Sequence, residues 1–387
     1  MNSDTRCTVG IDIRLIGKGR TGDEVVFFQF VRSLIRRQDA DIRYELFTDE
    51  SADDRLAALR LNLEALGRAD VEIISIPVRN RFWWNGIALP WRLFRSPVNV
   101  FHTQYILPLC WPRGTRIVTH IHDISFRVHP GWISWKDRLF LSLLIPRTLR
   151  RSDRIIAPSE FTRQELLDHY SVPETRVIVV ENAAAEEWSL PLSGEEIDRV
   201  TKAYGLTPNR YVISTGTMQP RKNIAFLVEA FHMANHSHPL GLKLVLTGNP
   251  VGHNVDTRAT GEESEAIVYT GYVSDADLRA LVAGAAAYVF PSLYEGFGIP
   301  IEEAFSVGTP VLASDIPVFH EVGGDRITYF DPRMLAPLAE TLYTFSIDIL
   351  SGKREKKPFS GSERQYSWTK SAEKLALLYR SLADLRP

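Results

Sequence analysis

The strongest constraint on this chain is an alternation of short apolar runs with patterns of helical period. The first half carries CTVGIDIRLI, IRYELFT, VEIISIP, VNVFHT, RIVTHIHD, DRIIAPS and RVIVVEN, and the second carries YVISTGT, KLVLTGN, AIVYTGYV, AAYVFPS, TPVLASD and RITYFD. Amphipathic stretches such as DEVVFFQFVRSLIRR and FTRQELLDHY stand between several of them. Nearly unbroken apolar strands that alternate with helices belong to parallel sheets covered on both faces. At 387 residues the chain exceeds one ordinary core, so two doubly wound α/β domains are expected. The Pro/Gly/Ser segment SLPLSGEEIDR sets the boundary. It separates an N-terminal domain, 1–190, from a C-terminal one, 191–365, with a last helix over 366–387. Ligands of such sheets bind outside the carboxyl ends of the strands, so the expected site is a cleft between the domains.

Composition narrows the class. Two cysteines, Cys7 and Cys110, without a CxxC or Cys/His cluster, fit a reducing compartment and give no sign of structural zinc. The start, MNSDTRCTVGIDI, lacks a signal-peptide pattern and no run is long enough to span a bilayer, so a cytoplasmic protein is expected. Net charge is −2, which offers no basis for nucleic-acid binding. The charge is uneven, however: residues 76–154 hold thirteen Lys/Arg, three acids and six of the eight tryptophans. Such a segment is either a face for an anionic membrane or substrate, or tryptophan core rimmed by solvated arginine.

Four motifs carry chemistry. GKGRTG, Gly17 to Gly22, follows a strand and precedes a helix, as a dinucleotide fingerprint does. That reading would make the protein an oxidoreductase, but Asp23 and Glu24 open the helix where a pyrophosphate would sit. In TGTMQPRKN, Arg221 and Lys222 stand at the start of a helix, a placement that calls for an anion. In EGFGIPIEE, Gly296 and Gly298 allow close backbone approach, Pro300 suits a first helical turn, and Glu295 and Glu303 can face one ligand. Glu302, about 100° round the helix, reads as solvent-facing or structural. The acids suit hydroxyls, with phosphates met elsewhere. THIHDISF puts His120, His122 and Asp123 at a strand end, with no third metal ligand in evidence. The pairs Asp275/Asp277 and Asp39/Asp41 read as helix cap and polar loop rather than metal sites.

EGFGIPIEEAFSVGTPVLASDIP, together with TGTMQPRKN, YTGYVSDADLRALVAGAAAYVFPS, HDISF and APSEFTRQEL, resembles the retaining glycosyltransferases of family 4, group 1. The resemblance implies the GT-B architecture: two Rossmann-like doubly wound parallel-sheet domains facing across a cleft. It implies that Arg221 and Lys222 hold the donor diphosphate, Glu303 the ribose, and Glu295 and His122 the donor sugar. Gly216, Thr217, Gly296, Phe297 and the Gly298–Ile299 turn would complete the donor site, with backbone at Tyr272 and Val273 on the base. The loop Gly19, Arg20, Thr21, Gly22 and Asp123 would lie on the acceptor side, although the loop departs from the family's commoner Gly-Ile-Gly form. The final helix would cross back to the first domain, anchored by Trp368. Transfer would be metal-independent and without a cofactor, from a GDP- or UDP-linked hexose, with a lean to mannose, to a glycan or lipid-linked anionic acceptor. A non-catalytic nucleotide-binding protein of the same fold is the alternative.

Overall fold

The computed structural model describes residues 6–18, 22–78, 80–248, 266–352 and 365–384. They form two compact units, 1–182 together with 366–387, and 183–365.

Each of the thirteen apolar runs supplies one strand. The first unit holds β1 (Cys7–Asp12), β2 (Ile42–Thr48), β3 (Val71–Ser75), β4 (Val100–Gln104), β5 (Arg116–His120), β6 (Arg154–Ala157) and β7 (Val177–Val179). Their order is β3-β2-β1-β4-β5-β6-β7, all parallel. The second unit holds β8 (Tyr211–Thr215), β9 (Lys243–Thr247), β10 (Ile267–Gly271), β11 (Ala287–Phe290), β12 (Val311–Ser314) and β13 (Ile327–Phe330). These run β10-β9-β8-β11-β12-β13, again parallel. Winding therefore reverses between β1 and β4 and between β8 and β11. At such a point successive loops leave to opposite faces and open a crevice.

The strands are buried because helices cover the sheets. In the second unit, Leu227 and Phe231 of helix Ile224–Ser237 and Leu338, Leu342 and Phe345 of helix Leu335–Leu350 pack with Leu244, Leu246 and Val289. Each such side chain contributes roughly 1.5–3 kcal/mol on burial. Beneath the switch point the Thr215 hydroxyl lies 2.7 Å from that of Tyr288, which ties β8 to β11.

The chain leaves the first unit at Asn182, ahead of the expected boundary at 190. Ala183, Ala184 and Trp188 are buried, and Arg279 donates to the Glu187 carbonyl, so this segment is fastened to the second unit before its first helix begins. Helix Trp368–Asp384 groups with the first unit. Trp368 meets Phe30 edge to face at 4.8 Å, Ser371 donates to the Glu181 carbonyl at 2.6 Å, and Arg380 pairs with Asp39 and Asp41 at 2.9 and 2.7 Å. Asp39 and Asp41 are thus helix anchors. Among the described residues no helix is long and apolar enough to cross a membrane.

Candidate active site

The second unit concentrates the predicted residues at its switch point. After β8 the chain turns through Gly216, whose φ of +126° belongs to glycine. Arg221 and Lys222 follow in a 3₁₀ turn, Pro220–Lys222. This corrects the expectation that they open the helix: Asn223, left-handed at φ 55°, separates the turn from helix Ile224–Ser237. The loop after β11 lies alongside, since Leu293 N donates to the Arg221 carbonyl at 2.8 Å.

That neighbour loop carries Glu295, and it supplies the anion the two cations called for. Arg221 Nη1 donates to one carboxylate oxygen at 2.8 Å and Lys222 Nζ to the other at 2.6 Å. The carboxylate is only 7% exposed. Burial alone would raise its pKa, but Arg221 and Lys222 outweigh burial and hold it at about 2. Lys222 Nζ also sits 5.0 Å from the Phe290 ring centroid, a cation–π contact at the end of β11. The acid and the cations that the sequence assigned to hydroxyl and phosphate contacts therefore adjoin in one cluster. One carboxylate against two cations leaves a local excess of one positive charge.

Gly298 then turns the chain into helix Ile299–Ser306 with φ +108°; a Cβ there would lie 3.0 Å from the Phe319 ring. Pro300 occupies the first turn, as expected. Gly296 and Phe297 are buried, Thr217 and Ile299 half-buried. Val273 is buried and Tyr272 is 79% exposed just before helix Asp275–Gly284. Glu303 is half-buried and no hydrogen bond to its carboxyl is formed among the described residues. Burial, with Asp275 adding repulsion, raises its pKa to about 8.

Glu302 is structural. It is buried and lies 3.4 Å from Arg326, whose guanidinium stacks on Phe305 at 4.0 Å. Glu302→Ala removes that partner and is expected to cost about 1–3 kcal/mol of unfolding free energy in a denaturant titration. A variant as stable as the parent would contradict the structural assignment.

In the first unit, His122 is buried with Nε2 2.7 Å from Gln104 Oε1. Its ring stacks on His120 at 4.4 Å, and His120 on His102 at 6.2 Å. Interplanar angles of 26° and 9° make this a pile of parallel rings, whose nitrogens do not converge as metal ligands must. Burial holds His102 at about 3 and His120 well below its usual value, so both are neutral at pH 7. His102 Nδ1 meets the Tyr379 hydroxyl at 2.6 Å. Gln104, His102 and Tyr379 were not singled out from the sequence. The available signal was register, since β4 places Gln104 opposite His120. Asp123 accepts from Ser125 N at 2.9 Å and shapes the turn after β5.

Of the glycine loop, Gly19, Arg20 and Thr21 lie outside the described residues, and Gly22 begins helix Gly22–Arg37. Glu24 accepts from the amides of Gly17 and Lys18 at 2.7 and 3.0 Å. Those N–H groups, which a pyrophosphate would need, already have a carboxylate, and this weighs against the dinucleotide reading. Ser274 caps its helix by accepting from Asp277 N at 3.2 Å, so Asp275 and Asp277 belong to a helix start.

Two family models match the chain: glycosyltransferase family 4 over residues 21–187 and glycosyl transferases group 1 over residues 209–345. Together they take in most of its length. The chain belongs to the group 1, family 4 glycosyltransferases. Among curated relatives, the O-antigen chain mannosyltransferase B of Escherichia coli is 35% identical over 226 residues, 57% of this chain and 58% of that protein. The match thus spans little more than half of that relative. The O-antigen chain mannosyltransferase RfbU of Salmonella typhimurium is 25% identical over 337 residues, covering 83% and 86% of the two chains. Among solved structures, a glycosyltransferase from Rickettsia africae superposes with a TM-score of 0.68 at 15% identity over 98% of this chain and 99% of that one. Anabaena Alr3699/HepE in complex with UDP and glucose gives 0.67 at 15% identity over 97% and 100%. The chain has the GT-B architecture, its two parallel-sheet α/β domains holding seven and six strands among the described residues.

Proposed function

We propose that this glycosyltransferase moves a hexosyl group, mannosyl in the leading case, from a GDP- or UDP-linked sugar to a glycan or lipid-linked anionic acceptor. Transfer proceeds with retention at the anomeric carbon and needs neither metal nor cofactor. The observation that carries this reading is the cluster of Arg221 and Lys222 on the buried Glu295 carboxylate at the β8/β11 switch point. Two cations with a single carboxylate can accept a diphosphate, and charge-assisted contacts to it contribute about 1.5–3 kcal/mol each. As the bond from the anomeric carbon to the diphosphate oxygen breaks, negative charge grows on the departing oxygen beside Arg221 and Lys222, already fixed in place. The acceptor hydroxyl attacks from the same face and gives its proton to that oxygen, so no protein nucleophile is needed. Glu295 orients the cations and accepts from a sugar hydroxyl. Glu303 accepts from the ribose, and His122, steered by Gln104, contacts the sugar's distal hydroxyls.

Relatives named as O-antigen mannosyltransferases support the mannosyl choice, and a neighbour bound to UDP and glucose keeps UDP-hexoses in the test. The enzyme works in the cytoplasm, in peripheral contact with the anionic inner face of the membrane. Incubation with a panel of GDP- and UDP-sugars, with the anomeric configuration of the product read by NMR, tests the proposal. Retention from one donor, undiminished by a chelator, is expected; inversion, or turnover that stops with EDTA, contradicts it.

A further inference from the structure

The six tryptophans of the basic segment divide between the two readings left open by the sequence. Trp84 is core, its indole N–H donating to Asp12 at 3.0 Å. Trp83, Trp91 and Trp135 are exposed, and they do not stand alone.

The helical segments Arg81–Trp83, Trp84–Ala88 and Leu89–Arg95 follow one another directly. Trp84, Ala88, Leu89 and Leu93 face the core, while Trp83, Ile87, Trp91 and Phe94 form an outward stripe at helical spacing. Helix Trp135–Arg151 repeats the arrangement: Ile145, Thr148 and Leu149 are buried, and Trp135, Leu139 and Leu143 point outward, Trp135 being 71% exposed. The stripes belong to one surface. Phe82 meets Phe140 edge to face at 5.7 Å, and Arg81 lies over the Phe140 ring at 4.2 Å. Exposed Leu109 is held between them, its N–H on the Asn85 carbonyl at 2.7 Å and its carbonyl on Arg147 at 2.6 Å. Large apolar side chains this closely grouped on a surface mark an interaction site.

Cations surround the patch. Arg81, Arg95, Lys136 and Arg138 are exposed along it, with Arg95 over Trp91 and Lys136 over Trp135 at 5.6 and 5.7 Å. At one end Leu143, Arg147, Arg150 and Arg151 line a hollow of about 590 Å³. Arg147 and Arg150 donate to backbone carbonyls, and among the described residues no carboxylate pairs with any of the three. The one acid of this helix, Asp137, accepts from its capping Ser134 and lies 3.6 Å from Arg81. A second copy on this face would set the same cations against one another. An anionic bilayer meets both needs, apolar depth for the aromatics and phosphates for the arginines.

We propose that the surface built by residues 81–95, Leu109 and helix Trp135–Arg151 is the membrane-docking face, seating its aromatic and leucine side chains among the headgroups of an anionic bilayer with Arg147, Arg150 and Arg151 on lipid phosphate. This rests on the reading that the enzyme works at a membrane and names the surface that meets it.

The test is co-sedimentation of the full chain with vesicles of phosphatidylcholine alone or mixed with phosphatidylglycerol. The parent should partition at least tenfold more strongly to the mixed vesicles, with a blue shift of tryptophan emission. Trp83→Ser/Trp91→Ser/Trp135→Ser and, separately, Arg147→Gln/Arg150→Gln/Arg151→Gln should each lose at least tenfold, the arginine-dependent part also yielding to 0.5 M salt. The tryptophan variant should keep the parent's melting temperature, and both variants should keep its response to a nucleotide sugar. Equal partitioning to both vesicle types, or variants that bind like the parent, overturns the proposal. So does a lipid-free dimer or a protein complex dispersed by the tryptophan substitutions, because the face is then a protein interface. A parent that binds vesicles but no nucleotide sugar contradicts the transferase reading and leaves the docking face standing; the converse result does the opposite.

Discussion

Lys222→Ala is expected to lower turnover about 10²-fold or more, because the proposed mechanism sets this cation, held by Glu295, against the negative charge growing on the leaving diphosphate. The loss should appear in donor affinity and, beyond it, in kcat, and activity within a few-fold of the parent would remove Lys222 from that role. Glu295→Gln separates the carboxylate's two duties. Without its charge, Arg221 and Lys222, each less than a quarter exposed, lose their buried carboxylate partner, so the unliganded variant should lose about 3 kcal/mol of stability. Millimolar GDP or UDP then supplies the missing anion and should raise the variant's melting temperature by more than the parent's. A variant as stable as the parent without nucleotide would show that Glu295 does not hold the cations.

Glu303 makes the second large effect, a dependence on pH. Its carboxyl titrates at about 8 in the folded protein and near 4.5 when unfolded, so the folded state binds the extra proton between those values. The stability from this group is complete below pH 4.5 and is lost as pH rises through 8, at about 1.4 kcal/mol per unit of difference. Glu303→Gln should flatten that decline in denaturant titrations at pH 5 and pH 8. Ribose hydroxyls favour the ionised carboxylate, which can accept from both. Donor binding at pH 7 should therefore release a proton, and affinity should climb toward pH 8. Calorimetry in buffers of different ionisation enthalpy reads that proton directly. Its absence in the parent, or its persistence in Glu303→Gln, contradicts the ribose assignment.

All thirteen strands were legible because each is short and largely apolar, and the central ones are buried on both faces, which leaves a continuous signature; the edge strands β3 and β10 are only partly covered. The turn at Gly298 and Pro300 was legible because few residue types tolerate those positions. What escaped depended on contacts distant in sequence. Glu295 meets Arg221 and Lys222 only because β11 lies beside β8, and local sequence did not place those loops together. The offset of Glu302 from Glu303 showed that they diverge, but not that Arg326 waits on Glu302's side. The exit from the first unit was misplaced because SLPLSGEEIDR announces a helix cap, which Ser193 is, rather than the crossing at Asn182. The exposed tryptophans could not be told from Trp84 by composition; helical phase within 81–95 sorts them.

The proposed seat for the diphosphate of a nucleotide sugar is the cluster of Arg221 and Lys222 on buried Glu295. Its most direct test is a calorimetric titration of the full chain, parent and Lys222→Ala, with GDP-mannose, UDP-glucose and NAD. Saturable binding of one nucleotide sugar by the parent, weakened at least tenfold by Lys222→Ala, with no heat from NAD, is the expected result. Binding of NAD alone, or of a nucleotide sugar with equal affinity to both proteins, would contradict it.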